Sequence, residues 1–281
     1  MFLESGKERT GNRMKEQLIL RCEDTLDGIF TAIFDGFVYK NRESQPYEDQ
    51  IRIAVGEEGN LQLFAKEITV ETDSQKATKT VYAIRTRLGQ YVYQRVFYAL
   101  CHYEEERASV VFGYLVRAFR FGIRIDEHLA DSYVMRMMEL SRKVSNECQK
   151  LYGFLRFRQL DQLLYAEFEP KCNAIPVIME HFEDRYPNEN FLIYDKKRKY
   201  ALVHPAYKTS FFVQEEEMPY IDADERDEFE ELWKRYFVTM EIKDRHNEAC
   251  QGNLLPKWYR KEMLEFLPPA QKRMSCMPDV P

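Results

Sequence analysis

Apolar residues recur at intervals of three and four in most segments up to about Leu151, and the pattern changes after Gly153, where residues 154–160 and 164–168 alternate in a strand-like way. A helix sets positions three and four apart on one face, whereas a strand sends successive side chains to opposite faces. The chain is therefore expected to be an α+β protein, with a helical first half followed by a sheet-bearing second half.

Within the first half, residues 17–22 read as a strand. Asp24 and Thr25 can cap a helix through Leu26, Ile29, Phe30, Ile33, Phe34 and Phe37, which Gly28 and Gly36 loosen or open to a close neighbour. Residues 40–60 are polar, with a short strand near 51–55, and another strand is expected at 68–70. Asp73 or Ser74 caps the next helix, which buries Ala77, Val81, Ile84 and Leu88. Residues 91–101 and 109–121 give two further helices. Asp126 is expected to open a long amphipathic helix carrying Leu129, Tyr133, Met137, Leu140, Val144, Cys148 and Leu151.

In the second half, residues 154–160 and 164–168 alternate as strands, with Arg156 and Arg158 on one face and Phe157 on the other. Pro170 stops the second strand. Residues 175–186 read as a helix that tolerates Pro176 in its first turn. Residues 191–194 and 200–204 flank the charged tip Asp195-Lys196-Lys197-Arg198-Lys199 as a hairpin, and 210–213 adds a strand. This ββαββ(β) order predicts an antiparallel sheet with a helix on one face. An acidic stretch follows, then a helix from about 223 to 240, then an irregular tail containing Pro256, Pro268 and Pro269. The expected organisation is a variable extension (1–16), a mainly helical region (17–152), an α+β core (153–213), an acidic connector (214–224) and a C-terminal helix with tail (225–281).

Hydrophobic residues make up 44% of the 281 positions and aromatics 14%, enough for a sizeable core. No apolar run approaches ~18 residues, so no membrane span is expected. The first residues, MFLESGKERTGNRMKEQ, hold no apolar core of a signal peptide, and the expected location is cytoplasmic. Six cysteines stand apart without a C-x-x-C pair and five histidines are equally scattered, so neither an iron–sulfur cluster nor a zinc site is expected, and no metal or other cofactor. Gly-rich phosphate loops and a nucleophile elbow are missing from the sequence. Glu167 and Glu169, two apart on a strand, read as solvent-facing.

The net charge of −6 argues against a nucleic-acid partner until its distribution is considered. Residues 214–231 carry ten acidic side chains against Arg226 alone, so the remainder of the chain is net positive. Residues 77–125 carry eight Lys or Arg against three Glu, and 232–275 nine against five. Local charge, not the isoelectric point, sets the field at a groove.

Three constellations follow. Lys196, Lys197, Arg198 and Lys199, with Arg156, Arg158 and Arg185, form a basic hairpin region suited to backbone phosphates, or a solvated turn. His181 and Asp195 suit an acid–base pair, with Arg185 one turn beyond the histidine, or else a structural tie between helix and sheet. Arg245, His246, Asn247, Gln251, Lys257, Trp258 and Tyr259 suit a stacking and phosphate site for single strands, or else dock the tail on the core.

GFLRFRQLDQLLYAEFEP from Gly153, HFEDRYPNENFLIYDKKRKYALVH from His181 and LWKRYFVTMEIKDRHNEACQGNLLPKWYRKEMLEF from Leu232 resemble, in order, the DUF4130 family. Upstream, DTLDGIFTAIFDGF is similar to the N-terminal region of full-length members described as DNA metabolism proteins. The likeness departs at Gln149, near which the family pattern has a His, and at Trp258, where the aromatic stands closer to Lys261. The resemblance implies a DNA repair or DNA metabolism accessory protein. It further implies a partner of the radical-SAM type, or a glycosylase-type one, since related domains occur fused to uracil-DNA-glycosylase-like domains. It implies no catalytic set. A DNA-acting enzyme built on His181 and Asp195, and a protein-interaction scaffold without DNA contact, remain the alternatives.

Overall fold

The structure, a computed structural model, describes residues 17–42, 50–56, 65–218, 228–240, 242 and 247–266. Contacts divide the chain into two compact units, residues 1–142 and 143–281, and the division falls inside one long helix.

The first unit is built on a small parallel sheet. Strand β1 (Gln17–Cys22) leads into helix α1 (Leu26–Arg42), which returns the chain to β2 (Ile51–Val55); β3 (Ala65–Thr69) then pairs on the other side of β1. The order β2-β1-β3 is wholly parallel, as a helical crossover demands. The first two strands fall where the sequence places them, and the third begins earlier than expected. The helices are α2 (Ser74–Leu88), α3 (Gln90–Leu100), α4 (Arg107–Phe121) and the start of α5 (Ser132–Phe154). Asp73 caps α2, accepting from the N–H groups of Gln75 and Lys76 at 2.8 and 3.2 Å. Gly89, at φ +90°, lets α2 turn into α3 with no intervening loop, a conformation that a side chain would strain. Leu20, Ile29, Ile33, Ile53, Ile84, Phe112, Leu115 and Met137 are fully buried in one cluster. Each contributes roughly 1.5–3 kcal/mol of burial.

Asp126 does not open α5. It sits in a 3₁₀ segment, Gly122–Glu127, where its carboxylate accepts from Tyr114 Oη at 3.0 Å and faces Arg95 Nε at 3.1 Å. The capping residue is Asp131, whose Oδ1 accepts from the N–H groups of Tyr133 and Val134 at 2.8 and 3.3 Å.

The second unit carries a five-stranded sheet in the order β4-β5-β6-β7-β8: β4 (Arg158–Leu160), β5 (Leu163–Phe168), β6 (Asn190–Asp195), β7 (Tyr200–His204) and β8 (Phe211–Gln214). Helix α6 (Ile175–Arg185) lies between β5 and β6 in sequence. The elements come in the anticipated order, but the sheet is mixed, because β5 and β6 are adjacent and parallel. The reason is the connection: α6 carries the chain back along the sheet, so β6 starts at the same end as β5. The first expected strand is also shorter. Residues up to Phe154 continue α5, and Arg156 lies ahead of β4, off the strand face that holds Arg158.

Phe157, Phe182, Tyr186 and Phe191 form an edge-to-face cluster with centroids 5.3–6.5 Å apart, joining α6 to the sheet. The C-terminal helices are α7 (Glu228–Met240) and α8 (Glu248–Leu254), followed by 3₁₀ segments Lys257–Glu262 and Leu264–Phe266. Among the described residues no helix is long and apolar enough to cross a membrane.

A candidate nucleic-acid interface

The connection after β5 (residues 169–172) determines the geometry of this region. Backbone leaving a sheet must find new partners for its polar groups. Glu147, on the last turns of α5 and buried, supplies two: its carboxylate accepts from Lys171 N at 2.8 Å and Cys172 N at 2.9 Å. The carbonyls are met from other directions. Trp258 Nε1 donates to Glu169 O at 2.9 Å, while Arg198 donates to Pro170 O at 3.5 Å and to Lys171 O at 2.7 Å. Lys197 Nζ reaches the same Lys171 oxygen at 3.4 Å. The connection is thus satisfied by α5, the β6–β7 hairpin and the C-terminal segment together.

The hairpin is shaped by Asp195. Fully buried at the end of β6, its carboxylate accepts from the N–H groups of Lys197 and Arg198 at 2.9 and 3.1 Å and pairs with Arg198 Nη1 at 2.9 Å. Burial raises its pKa, and Arg198 with the two N–H groups opposes that rise. Lys199, at φ +57°, closes the turn by donating to Asp195 O at 2.8 Å. Two of the neighbouring lysines face carboxylates: Lys196 lies 3.9 Å from Glu167 and Lys199 3.3 Å from Glu215.

The aromatic side of the site comes from the segment Lys257–Glu262. Trp258, 36% exposed, has Lys261 Nζ 4.1 Å and Lys171 Nζ 5.8 Å from its ring centroid. Tyr259 has Lys150 Nζ at 5.4 Å and packs on Phe154 at 6.0 Å, and burial pushes its hydroxyl pKa upward. Lys261 also pairs with Glu169 Oε2 at 3.1 Å. These side chains border a shallow, open cleft lined by Phe154, Arg156, Glu167, Glu169, Trp258 and Tyr259. Cations lying on ring faces can hold phosphates while bases stack.

Parts of two constellations that are separate in sequence are therefore brought to one connection: Lys197 and Arg198 from the hairpin, and Trp258 and Tyr259 from the tail. Lys150, Lys171, Lys261 and the organising Glu147 join them, and none of these four stands out in the sequence, because each is a lone charge in its own segment. Other candidates lie elsewhere in their contacts. Arg156 pairs with Glu265 at 2.9 Å and donates to Gly153 O at 2.7 Å, which ties the last segment down. Arg158 is buried, 5.4 Å from the Tyr165 centroid. Arg185 is exposed and bonds Tyr186 Oη at 3.2 Å. Asn247 caps α8 through Cys250 N at 2.9 Å, Gln251 bonds within that helix, and Lys257 is exposed at the start of its 3₁₀ segment. Arg245 and His246 lie outside the described residues.

His181 and Asp195 are not hydrogen-bonded to each other. His181 lies tilted against Tyr152 with centroids 4.2 Å apart, and its buried Nε2 has no hydrogen-bond partner among the described residues, while Asp195 is given to the turn. Cys22, Cys101, Cys148 and Cys172 are buried and in no disulfide, with burial raising the Cys22 pKa to about 12. Among the described residues no group of three or more His, Cys, Asp or Glu side chains is placed to hold a metal. In the first unit, the carboxyl ends of a parallel sheet are the usual ligand position. There the polar groups engage one another: Glu23 accepts from Thr72 at 2.7 Å, Asp24 pairs with Arg107, and Thr31 donates to Asp73 O at 3.1 Å.

No curated protein matches the sequence. Among solved structures, a DHH domain of a member of the s1p family of ribosomal proteins aligns at 10% identity, with a TM-score of 0.31, over 67% of this chain and 73% of that one. RecJ in complex with Mn²⁺ from Thermus thermophilus aligns at 10% identity and a TM-score of 0.26, over 67% of this chain and 44% of that one. At such scores neither supports an argument about fold or chemistry. The model of DUF4130, a domain of unknown function, matches residues 105–265, more than half of the 281, and the chain belongs to that family.

Proposed function

We propose that the second unit binds the DNA backbone without reading sequence, and that the protein is an accessory in DNA metabolism that presents DNA to a radical-SAM or glycosylase-type partner. The observation that carries the DNA contact is the convergence of Lys171 and Lys261 on Trp258 and of Lys150 on Tyr259, with Lys197 on the Lys171 carbonyl. Lysines act on phosphate as point charges and suit contacts that must tolerate any sequence. An exposed indole offers a stacking face to an unpaired base. The partner assignment is supported by the family resemblance in the sequence blocks from Gly153, His181 and Leu232.

The test is fluorescence anisotropy of the full chain with labelled single- and double-stranded oligonucleotides across a salt series. Direct contact makes log affinity fall linearly with log salt, by about 0.7 per phosphate for a single strand and about 0.9 for a duplex. The variant K171Q/K197Q/K261Q should flatten that slope, and Trp258→Ala should weaken single-strand binding by ~1–3 kcal/mol with little effect on duplex. Absence of binding at low salt, or a lysine variant indistinguishable from wild type, refutes the proposal.

A further inference from the structure

We propose that the helical layer α2–α3–α4 of the first unit is a second surface for a nucleic-acid backbone, with Arg85, Arg87 and Arg120 as its phosphate contacts. The inference rests on reading the chain as a nucleic-acid binder, and it concerns residues that the site described above does not use.

The first observation is compositional and local. Asp and Glu fill 47 of the 281 positions, about one in six, yet α2, α3 and α4, of 15, 11 and 15 residues, contain none. Their cations fall into two groups. Lys76, Arg95, Arg107 and Arg117 pair with Asp35, Asp126, Asp24 and Asp131, all borrowed from other segments. Lys79, Arg85, Arg87 and Arg120 are exposed and have no ion pair among the described residues.

The second observation is how those arginines are held. Arg85 of α2 lies over Tyr93 of α3, its Cζ 4.1 Å from the centroid. Arg87 of α2 lies over Phe119 of α4 at 5.1 Å, next in sequence to Arg120, which lies over Phe121 at 5.5 Å. A guanidinium resting on a ring is fixed in orientation without using its N–H edge. That edge remains in water, where it can take phosphate oxygens bidentately. Tyr82, 68% exposed and one turn before Arg85 and Thr86, adds an aromatic face beside them.

A structural explanation accounts for part of this pattern. Arg85 and Arg87 stand in the last turn of α2 and Arg120 in that of α4, where cations complement the helix dipole. The dipole does not explain why acids are missing from the bodies of all three helices, although Asp73 caps α2 and Glu104, Glu105 and Glu106 stand just before α4. It also does not explain Lys79 in the middle of α2. Three consecutive helices with no acidic residue of their own, and three exposed arginines left without an ion pair among the described residues, fit a polyanion. The arginine fork matches phosphate and carboxylate alike, so the choice of a nucleic acid over an acidic polypeptide follows from the function proposed for the second unit, and the competition experiment below tests it.

The experiment uses the full chain and three variants in the same salt series: R85Q/R87Q/R120Q, R85K/R87K/R120K, and K171Q/K197Q/K261Q of the other unit. On duplex the glutamine arginine-variant should lower the salt slope by about 2–3, at about 0.9 per lost contact. The lysine arginine-variant should keep most of the slope, which separates lost charge from lost folding. A wild-type slope in R85Q/R87Q/R120Q overturns the inference. So does poly-L-glutamate that competes as well as an oligonucleotide of equal charge, since the surface then serves acidic protein. Loss of slope in R85Q/R87Q/R120Q with none in K171Q/K197Q/K261Q supports this surface and refutes the one around Trp258; the reverse pattern does the opposite. No binding by wild type overturns both.

Discussion

Glu147 is predicted to hold the candidate site in shape. Its carboxylate, 6% exposed by residue, is the acceptor for two consecutive backbone N–H groups, Lys171 at 2.8 Å and Cys172 at 2.9 Å. Glu147→Ala leaves the N–H of buried Cys172 without its acceptor, and that of exposed Lys171 with only partial access to water. A buried donor without a partner costs about 1–3 kcal/mol, so the pair costs about 2–4 kcal/mol once some opening of the connection toward water is allowed. Because Lys171 itself sits on this connection, 5.8 Å from Trp258, the substitution should also weaken DNA binding without removing any cation. Glu147→Gln keeps one acceptor and turns an N–H₂ toward the other amide, so its effect should be intermediate. The direct assay is amide hydrogen exchange at Lys171 and Cys172, where about 2 kcal/mol corresponds to roughly 30-fold faster exchange. Denaturant unfolding and the salt-series anisotropy accompany it. Exchange at both amides equal to wild type in Glu147→Ala, with unfolding shifted by less than about 0.5 kcal/mol, refutes the reasoning.

Two further predictions concern the first unit. A Cβ on Gly113 of α4 would overlap the Tyr133 ring, so Gly113→Ala should lose about 1–3 kcal/mol to overpacking, more than the ~1 kcal/mol alanine gains in helix propensity; thermal unfolding reads the sign, and a stabilised variant refutes the contact. Burial alone would raise the Asp131 pKa, but Arg117 at 2.6 Å and the N–H groups of Tyr133 and Val134 outweigh it and hold it below the ordinary range. A depressed carboxylate adds stability that is complete above its unfolded value near ~3.9 and is lost as pH falls through the folded one. Asp131→Asn should therefore lower stability at neutral pH and flatten its decline below about pH 4, and an unchanged acid limb in denaturant titrations refutes this.

Much of the fold is legible in the sequence because period and capping chemistry are local. The strands Gln17–Cys22, Ile51–Val55 and Tyr200–His204 lie where the sequence places them, and the cap of α2 is one of the two residues the sequence offers. The failures are of a single kind: local pattern is blind to which partner a group will find. Asp126 and Asp131 both precede the same apolar run, and only the nearness of Arg95 and Tyr114 assigns the first to an ion pair and leaves the second as the cap. Alternation in β5 and β6 is the same for either direction of pairing, and the intervening helix makes it parallel. Asp195 marks a turn in any charged hairpin tip, but its burial and its pair with Arg198 appear only in three dimensions.

The candidate site extends the same argument. Lys150, Lys171 and Lys261 belong to a helix, a connection and a 3₁₀ segment, so no short stretch of sequence contains two of them. What gathers them is the demand of residues 169–172 for hydrogen-bond partners after β5 ends. Pro170 has no N–H to offer, Glu147 takes the next two amides, and Trp258, Lys197 and Arg198 converge on the carbonyls. Backbone satisfaction thus does for this surface what a bound metal does elsewhere, since it fixes side chains from distant segments around one point. It follows that the site should be more sensitive to loss of Glu147 than to loss of any single lysine, because a lysine contributes one phosphate contact whereas the connection positions several.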